Sequence, residues 1–182
     1  MKLKNLLFTL GFILCFSLQT WADTEPDNNV YTGADPMAEN STVSGTIATP
    51  VTDLEDWYQF TTTSDGNITI SFTCLPLTSY NRIYLYDSDG TTNLGSAEGY
   101  GGATFTKNGL AAGTYYIRYY YYSTSFASAY ELSNTVIPTN YANDTEANDT
   151  YLTALTNLNE NDSVYGHIAH RYNGGTYDEE DW

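Results

Sequence analysis

Apolar and polar residues alternate with a period of two through most of the chain. "NITISFT" sets Ile68, Ile70 and Phe72 on one face, and "TVSGTIA" does the same with Val43 and Ile47. "DWYQFTT" puts Trp57 on one face and Tyr58 and Phe60 on the other. "RIYLYD", "GATFT", "GTYYIRYYYY" and "SAYELSNTV" follow, separated by polar turns such as "DSDG" and "KNGLAAG". No window sustains a helical period. Seven or eight short strands at near-regular spacing predict an all-β fold, a two-sheet antiparallel β-sandwich of jelly-roll type. Residues 23–137 are enough for one such core.

The pattern breaks at both ends. Residues 1–22 carry Lys2 and Lys4, an apolar run from Leu6 to Leu18 that is too short to span a bilayer, and a small-residue cleavage site at Thr20-Trp21-Ala22. They are expected to be a signal peptide, with Cys15 part of it, so the mature protein is expected to be secreted or on the cell surface, without membrane insertion. At the other end the sequence begins to repeat itself. "DTEPDNN" (23–29) returns as "DTEANDT" (144–150), an offset of 144 − 23 = 121 residues. "ENSTVSGTIA" returns as "ENDSVYGHIA", and "DLEDW" (53–57) as "DEEDW" (178–182). Three blocks in one order predict a tandem repeat. The sandwich then spans 23–137, a linker with Pro138 spans 138–143, and a truncated second copy spans 144–182. A copy that stops on its equivalent tryptophan is the expectation for a fragment, which on its own would be monomeric.

Charge narrows the range of partners. The formal net charge is −16, and loss of Lys2 and Lys4 with the leader takes it to −18. A phosphate-binding surface needs clustered Lys and Arg, so nucleic acid is not an expected partner. With Cys15 gone only Cys74 remains, and a lone cysteine builds no disulfide framework. Residues 23–137 contain no histidine, which removes Ser-His-Asp and Cys-His chemistry, and the protein is not expected to be an enzyme. His167 and His170 in the second copy are three apart in sequence, a spacing that on a strand points to opposite faces, so shared zinc ligation is not expected.

Two constellations carry candidate chemistry. The first is acidic: Asp23, Glu25, Asp27 and Asn28 in the opening, then Asp53, Glu55 and Asp56. These are the hard oxygen ligands that calcium takes, six to eight at a time, and the i, i+3 pair Asp53/Asp56 recurs as Asp178/Asp181. A solvated acidic surface accounts for the same residues. "DSDGT" lacks the later ligands of a calcium loop and reads as a hairpin turn. The second constellation is aromatic. In "TYYIRYYYY" the residues Tyr115, Ile117, Tyr119 and Tyr121 share one face, and Tyr116, Arg118, Tyr120 and Tyr122 the other. The face bearing Arg118 is expected to point outward. An exposed tyrosine ladder binds sugar rings or a peptide, while cross-strand pairing alone also explains it.

The phrases "DTEPDNN", "VSGTI", "DLEDWYQF", "IYLYDSDG" and "LAAGTYYIRY", in this order over most of residues 23–132, resemble the bacterial pre-peptidase C-terminal domain. This is a β-sandwich appended to many secreted peptidases and surface proteins. The collagen-binding modules of clostridial collagenases are its relatives, and in those calcium sits between the acidic N-terminal segment and a later pair of Asp residues. The resemblance therefore implies calcium held by Asp23, Glu25, Asp27, Asn28, Asp53 and Asp56, with Glu55 a neighbour, and by Asp144, Glu146, Asn148, Asp149, Asp178 and Asp181 in the second copy. It implies an accessory module that is non-catalytic. An N-terminal part of a secreted hydrolase, and an adhesin-like repeat binding an extracellular glycan or protein, are the alternatives.

Overall fold

The computed structural model describes residues 28–47, 53–122, 128–139, 160–161 and 163. The leader, the opening acids Asp23, Glu25 and Asp27, and all the second-copy site residues lie outside the described residues, and so does nearly all of the expected repeat.

A short 3₁₀ turn at Tyr31–Gly33 leads into β1 (Asp35–Pro36), followed by β2 (Thr42–Ile47), β3 (Glu55–Thr61), β4 (Gly66–Leu75) and β5 (Tyr80–Tyr86). Then come β6 (Asn93–Tyr100), β7 (Gly102–Leu110), β8 (Thr114–Tyr121) and β9 (Ser128–Pro138). They form a five-stranded sheet in the order β1-β3-β8-β5-β6 and a four-stranded sheet in the order β2-β9-β4-β7. Apart from the parallel two-residue β1, every pairing is antiparallel. With β1 set aside, the eight long strands follow the jelly-roll order, four to a sheet.

The alternation seen in the sequence is what the sandwich buries. Ile68, Ile70, Phe72 and Cys74 of β4 and Leu132 and Val136 of β9 face Tyr58 and Phe60 of β3, Ile117 and Tyr119 of β8, and Ile83 and Leu85 of β5. Each fully buried aliphatic or aromatic side chain contributes about 1.5–3 kcal/mol from removal of its surface from water. Truncation of Ile70, which is wholly buried, is expected to cost about 2–5 kcal/mol because a cavity remains.

β6 is a strand that the sequence pattern does not announce. "NLGSAEGY" has one fully buried residue, Leu94, and lies at the sheet edge, where one neighbour and one half-covered face ask little of the side chains. β7 also runs further than expected, to Leu110, so that "KNGL" belongs to the strand. "DSDG" is a turn: the Gly90 N–H donates to the Asp87 carbonyl at 2.9 Å and Gly90 has φ +66°. Asp89 caps it, accepting from the backbone N–H of Thr91 and Thr92 and from the Thr92 hydroxyl.

Candidate functional site

One end of β3 gathers the buried acids. The Trp57 N–H donates to the Asn28 carbonyl at 2.8 Å, so the tail of the acidic opening is fastened beside Asp56. The Asn28 amide nitrogen donates to Asp35 Oδ2 at 3.3 Å, which fixes the amide's orientation. Asn28, Asp35, Asp53 and Asp56 are all buried, Asn28 and Asp56 completely. Glu55, one residue away, is on the opposite face of the strand, where its carboxylate takes hydrogen bonds from the Arg118 guanidinium. β3 thus divides the acids of "DLEDW": Asp56 goes inward and Glu55 outward.

Asp56 is held from across the sandwich. The Tyr130 hydroxyl on β9 donates to Asp56 Oδ2 and is 2.7 Å from the Tyr58 hydroxyl. The Tyr130 ring stacks on Tyr119, with centroids 3.8 Å apart. Burial and the Asp56 carboxylate both push the Tyr130 phenol pKa well above its ordinary value, so it remains a donor. Gly45 makes this possible. It pairs with Tyr130 in the β2–β9 register, and a Cβ there would stand 2.2 Å from the Tyr130 hydroxyl oxygen. The glycine of "VSGTI" is thus the space that the phenol occupies. Sequence reasoning missed Tyr130 and Asp35. Tyr130 is 74 residues from Asp56, and nothing local marks the contact.

As a donor set for calcium, Asn28, Asp53 and Asp56 are chemically suited, being hard oxygens beside a turn. Among the described residues no group of three or more His, Cys, Asp or Glu side chains is gathered as for a metal ion. Further ligands would have to come from Asp23, Glu25 and Asp27.

The outer face of the five-stranded sheet is the second constellation. β8 is buried at Tyr115, Ile117, Tyr119 and Tyr121 and turns Tyr116, Arg118 and Tyr120 outward, with Tyr122 just beyond its end. The register sets Arg118 between Trp57 of β3 and Tyr84 of β5, and Tyr120 between Glu55 and Arg82. Arg82 is also opposite Glu98 of β6 and forms an ion pair with it. The Arg118 guanidinium lies 4.7 Å from the Tyr120 ring centroid, 5.5 Å from Tyr84 and 5.8 Å from Trp57. Burial opposes its charge, but the Glu55 carboxylate outweighs that and raises its pKa. Trp57 faces outward yet is buried, because Tyr86 at 5.0 Å and Tyr31 at 6.1 Å cover it. Tyr31 in turn rests on Gly90, where a Cβ would come within 2.2 Å of the ring. At the other end Tyr100, Tyr80, Tyr122 and Tyr120 follow one another with centroids 4.9, 5.8 and 4.8 Å apart.

Sequence reasoning found the β8 residues of this face and missed those of β5. The signal was present: "YNRIYLY" alternates as β8 does, with Arg82 on the same face as Tyr80, Tyr84 and Tyr86.

The strands that carry this face lie within a recognisable stretch. Residues 54–120 match the bacterial pre-peptidase C-terminal domain. Among solved structures, the pre-peptidase C-terminal domain of a Bacillus anthracis collagenase is 27% identical, covering 56% of this chain and 94% of its own, with a TM-score of 0.48. An Aeromonas hydrophila periplasmic inhibitor of g-type lysozyme is 15% identical, covering 57% and 96%, with a TM-score of 0.41. A carbohydrate-binding module of a Cellvibrio mixtus lichenase, solved with cellotriose, is 14% identical, covering 47% and 73%, with a TM-score of 0.33. No curated protein matches the chain. The pre-peptidase C-terminal match runs from Leu54 to Tyr120 and so includes Asp56, Trp57, Arg82 and Arg118, while Asn28, Gly45 and Tyr130 lie outside it. It supports a non-catalytic accessory or binding module. Among the described residues no helix is long and apolar enough to cross a membrane.

Proposed function

We propose that this protein is a calcium-stabilised, non-catalytic accessory module of a secreted or cell-surface protein. The observation that supports the calcium reading is the hydrogen bond from Trp57 N–H to the Asn28 carbonyl, which ties Asn28 to the strand residue next to the buried Asp56. Asn28, Asp53 and Asp56 would hold the ion together with Asp23, Glu25 and Asp27. Asp23, Glu25 and Asp27, brought next to Asp53 and Asp56, would repel them, and a divalent ion would offset that repulsion while fastening the N-terminal segment to β3.

Calorimetry with calcium and thermal melting with EDTA test this. A dissociation constant on the order of 10⁻⁴ M is expected, as for extracellular modules. At a hundredfold excess of ion the stabilisation is about 2.7 kcal/mol, so EDTA lowers the melting temperature by several degrees. Asp56→Asn removes most of that response, since the amide still accepts from Tyr130 but carries no charge. No binding heat and melting indifferent to EDTA would sink the calcium reading and leave a solvated acidic lead-in.

The outer face of the five-stranded sheet favours a second, compatible reading, in which the module binds an extracellular polymer. Tyr116, Arg118, Tyr120 and Tyr122 belong to a continuous aromatic surface that reaches Tyr31 at one end and Tyr100 at the other. Tyr31, Tyr100 and Tyr122 are solvent-exposed.

A further inference from the structure

A polymer-binding face leaves open which polymer it takes, and the side chains at one end of it narrow the choice. Building on the polymer reading, we infer that the end of the aromatic face around Tyr80, Tyr100, Tyr120, Tyr122 and the Arg82–Glu98 pair is a binding site for an uncharged glycan.

The rings come first. Tyr100 is 71% exposed and Tyr122 46%, and both lean on Tyr80. Tyr120 meets Tyr122 nearly edge to face, at 80°. Rings braced in this way keep their position before a ligand arrives, so little conformational entropy is lost on binding. A sugar ring presents an apolar C–H face and a rim of hydroxyls. The face stacks on a tyrosine ring, and each hydroxyl asks for a donor and an acceptor together. Arg82 supplies donors, Glu98 acceptors and the phenols both. The side chains of Arg82 and Glu98 remain 29% and 38% exposed, so the pair is reachable.

Charge then selects among ligands. Arg82 is matched by Glu98, and Arg118 by Glu55, so the face carries almost no net charge of its own. The rest of the chain is strongly negative, at −16. A polyanion is repelled by the whole molecule, and a polycation finds the carboxylates of this face already paired. An extended peptide adds to a sheet at its edge, through backbone groups, whereas the rings of Tyr80, Tyr120 and Tyr122 line the outer face of β5 and β8, and only Tyr100 and Glu98 stand on the edge strand β6. A neutral polyhydroxylated chain meets neither obstacle.

The experiment is affinity electrophoresis of the full chain through gels containing a neutral β-glucan, xylan or mannan, with alginate and gelatin as the anionic and protein arms. Retardation by at least one neutral polysaccharide is expected, little changed by added salt. Tyr100→Ala and Tyr122→Ala should each weaken it about tenfold, as for an exposed anchor at a binding centre, with melting unchanged. Tyr122→Phe should keep the stacking and most of the binding. Retardation by gelatin alone, lost in the alanine variants, would overturn the glycan assignment while leaving a polymer-binding face. Retardation by alginate alone, by no polymer, or by a neutral glycan with equal strength in the alanine variants, would overturn the site itself.

Discussion

The two outer faces of the sandwich have the same pleat and different chemistry. On the four-stranded sheet the register lines up Thr42, Ser133, Ser71 and Thr104 in one row across all four strands. Thr135, Thr69 and Thr106 make the next row, with hydroxyl contacts of 2.7 Å at Ser71–Ser133 and Thr69–Thr106. Among the described residues no aromatic stands on that face. The five-stranded sheet has tyrosine, tryptophan and arginine at the corresponding outward positions. Strand formation does not demand the difference, since short hydroxylated side chains satisfy one pleated surface well and are β-formers themselves. The aromatic face is therefore explained by what it covers and what it contacts: Trp57 is structural, while Tyr100 and Tyr122 face solvent.

The contrast is sharpest in stability. Trp57→Ala should cost about 3–5 kcal/mol, because a buried indole packed by Tyr31, Tyr86 and Arg118 leaves a void. Chemical denaturation reads this directly, and a loss below about 1 kcal/mol would contradict a structural role for Trp57. Tyr130→Phe comes next, at about 1–3 kcal/mol, since it removes the hydroxyl that donates to Asp56 and contacts Tyr58 between the sheets. If it proves neutral, the tie across the sandwich is not what Gly45 makes room for. Ser133→Ala on the hydroxyl face should cost about 1 kcal/mol or less, the worth of one half-buried neutral hydrogen bond. A cost equal to that of Trp57→Ala would erase the distinction between the faces.

The smallest effect is a pH dependence at the turn beneath Tyr31. Burial alone would raise the Asp89 carboxyl, but hydrogen bonds from Thr92 and Thr91 outweigh it and hold its pKa below the usual carboxylate range. A lowered folded-state pKa contributes stability that is present above the unfolded value and is lost as pH falls through the folded one. Asp89→Asn should lower the melting temperature slightly at neutral pH and leave it little changed at low pH, so that the acid limb of the profile flattens. An unaltered acid limb would remove Asp89 from the account.

The sequence disclosed the parts of the fold in which a local pattern and burial coincide. Ile68, Ile70 and Phe72 alternate because β4 lies between two neighbours with one face in the core. The outward direction of Arg118 followed from the cost of burying its charge. β6 was not legible because an edge strand with a half-covered face needs no apolar repeat. The role of Trp57 was hidden for a different reason: its cover comes from Tyr31 and Tyr86, on separate segments. Asn28 and Asp56 were grouped by resemblance, and the Asn28 carbonyl bonds the N–H of Trp57, the residue after Asp56, but Tyr130 and Gly45 emerge only from a register that joins distant strands. The candidate metal ligands of the second copy lie outside the described residues.

The central claim is that binding belongs to the aromatic face and not to the hydroxyl face. The most direct measurement compares two double variants on the retaining polymer, Tyr100→Ala/Tyr122→Ala and Thr42→Ala/Thr104→Ala, each checked for an unchanged melting temperature. The account predicts that the first loses retention and the second keeps it. Retention kept by the tyrosine variant and lost by the threonine variant would contradict it.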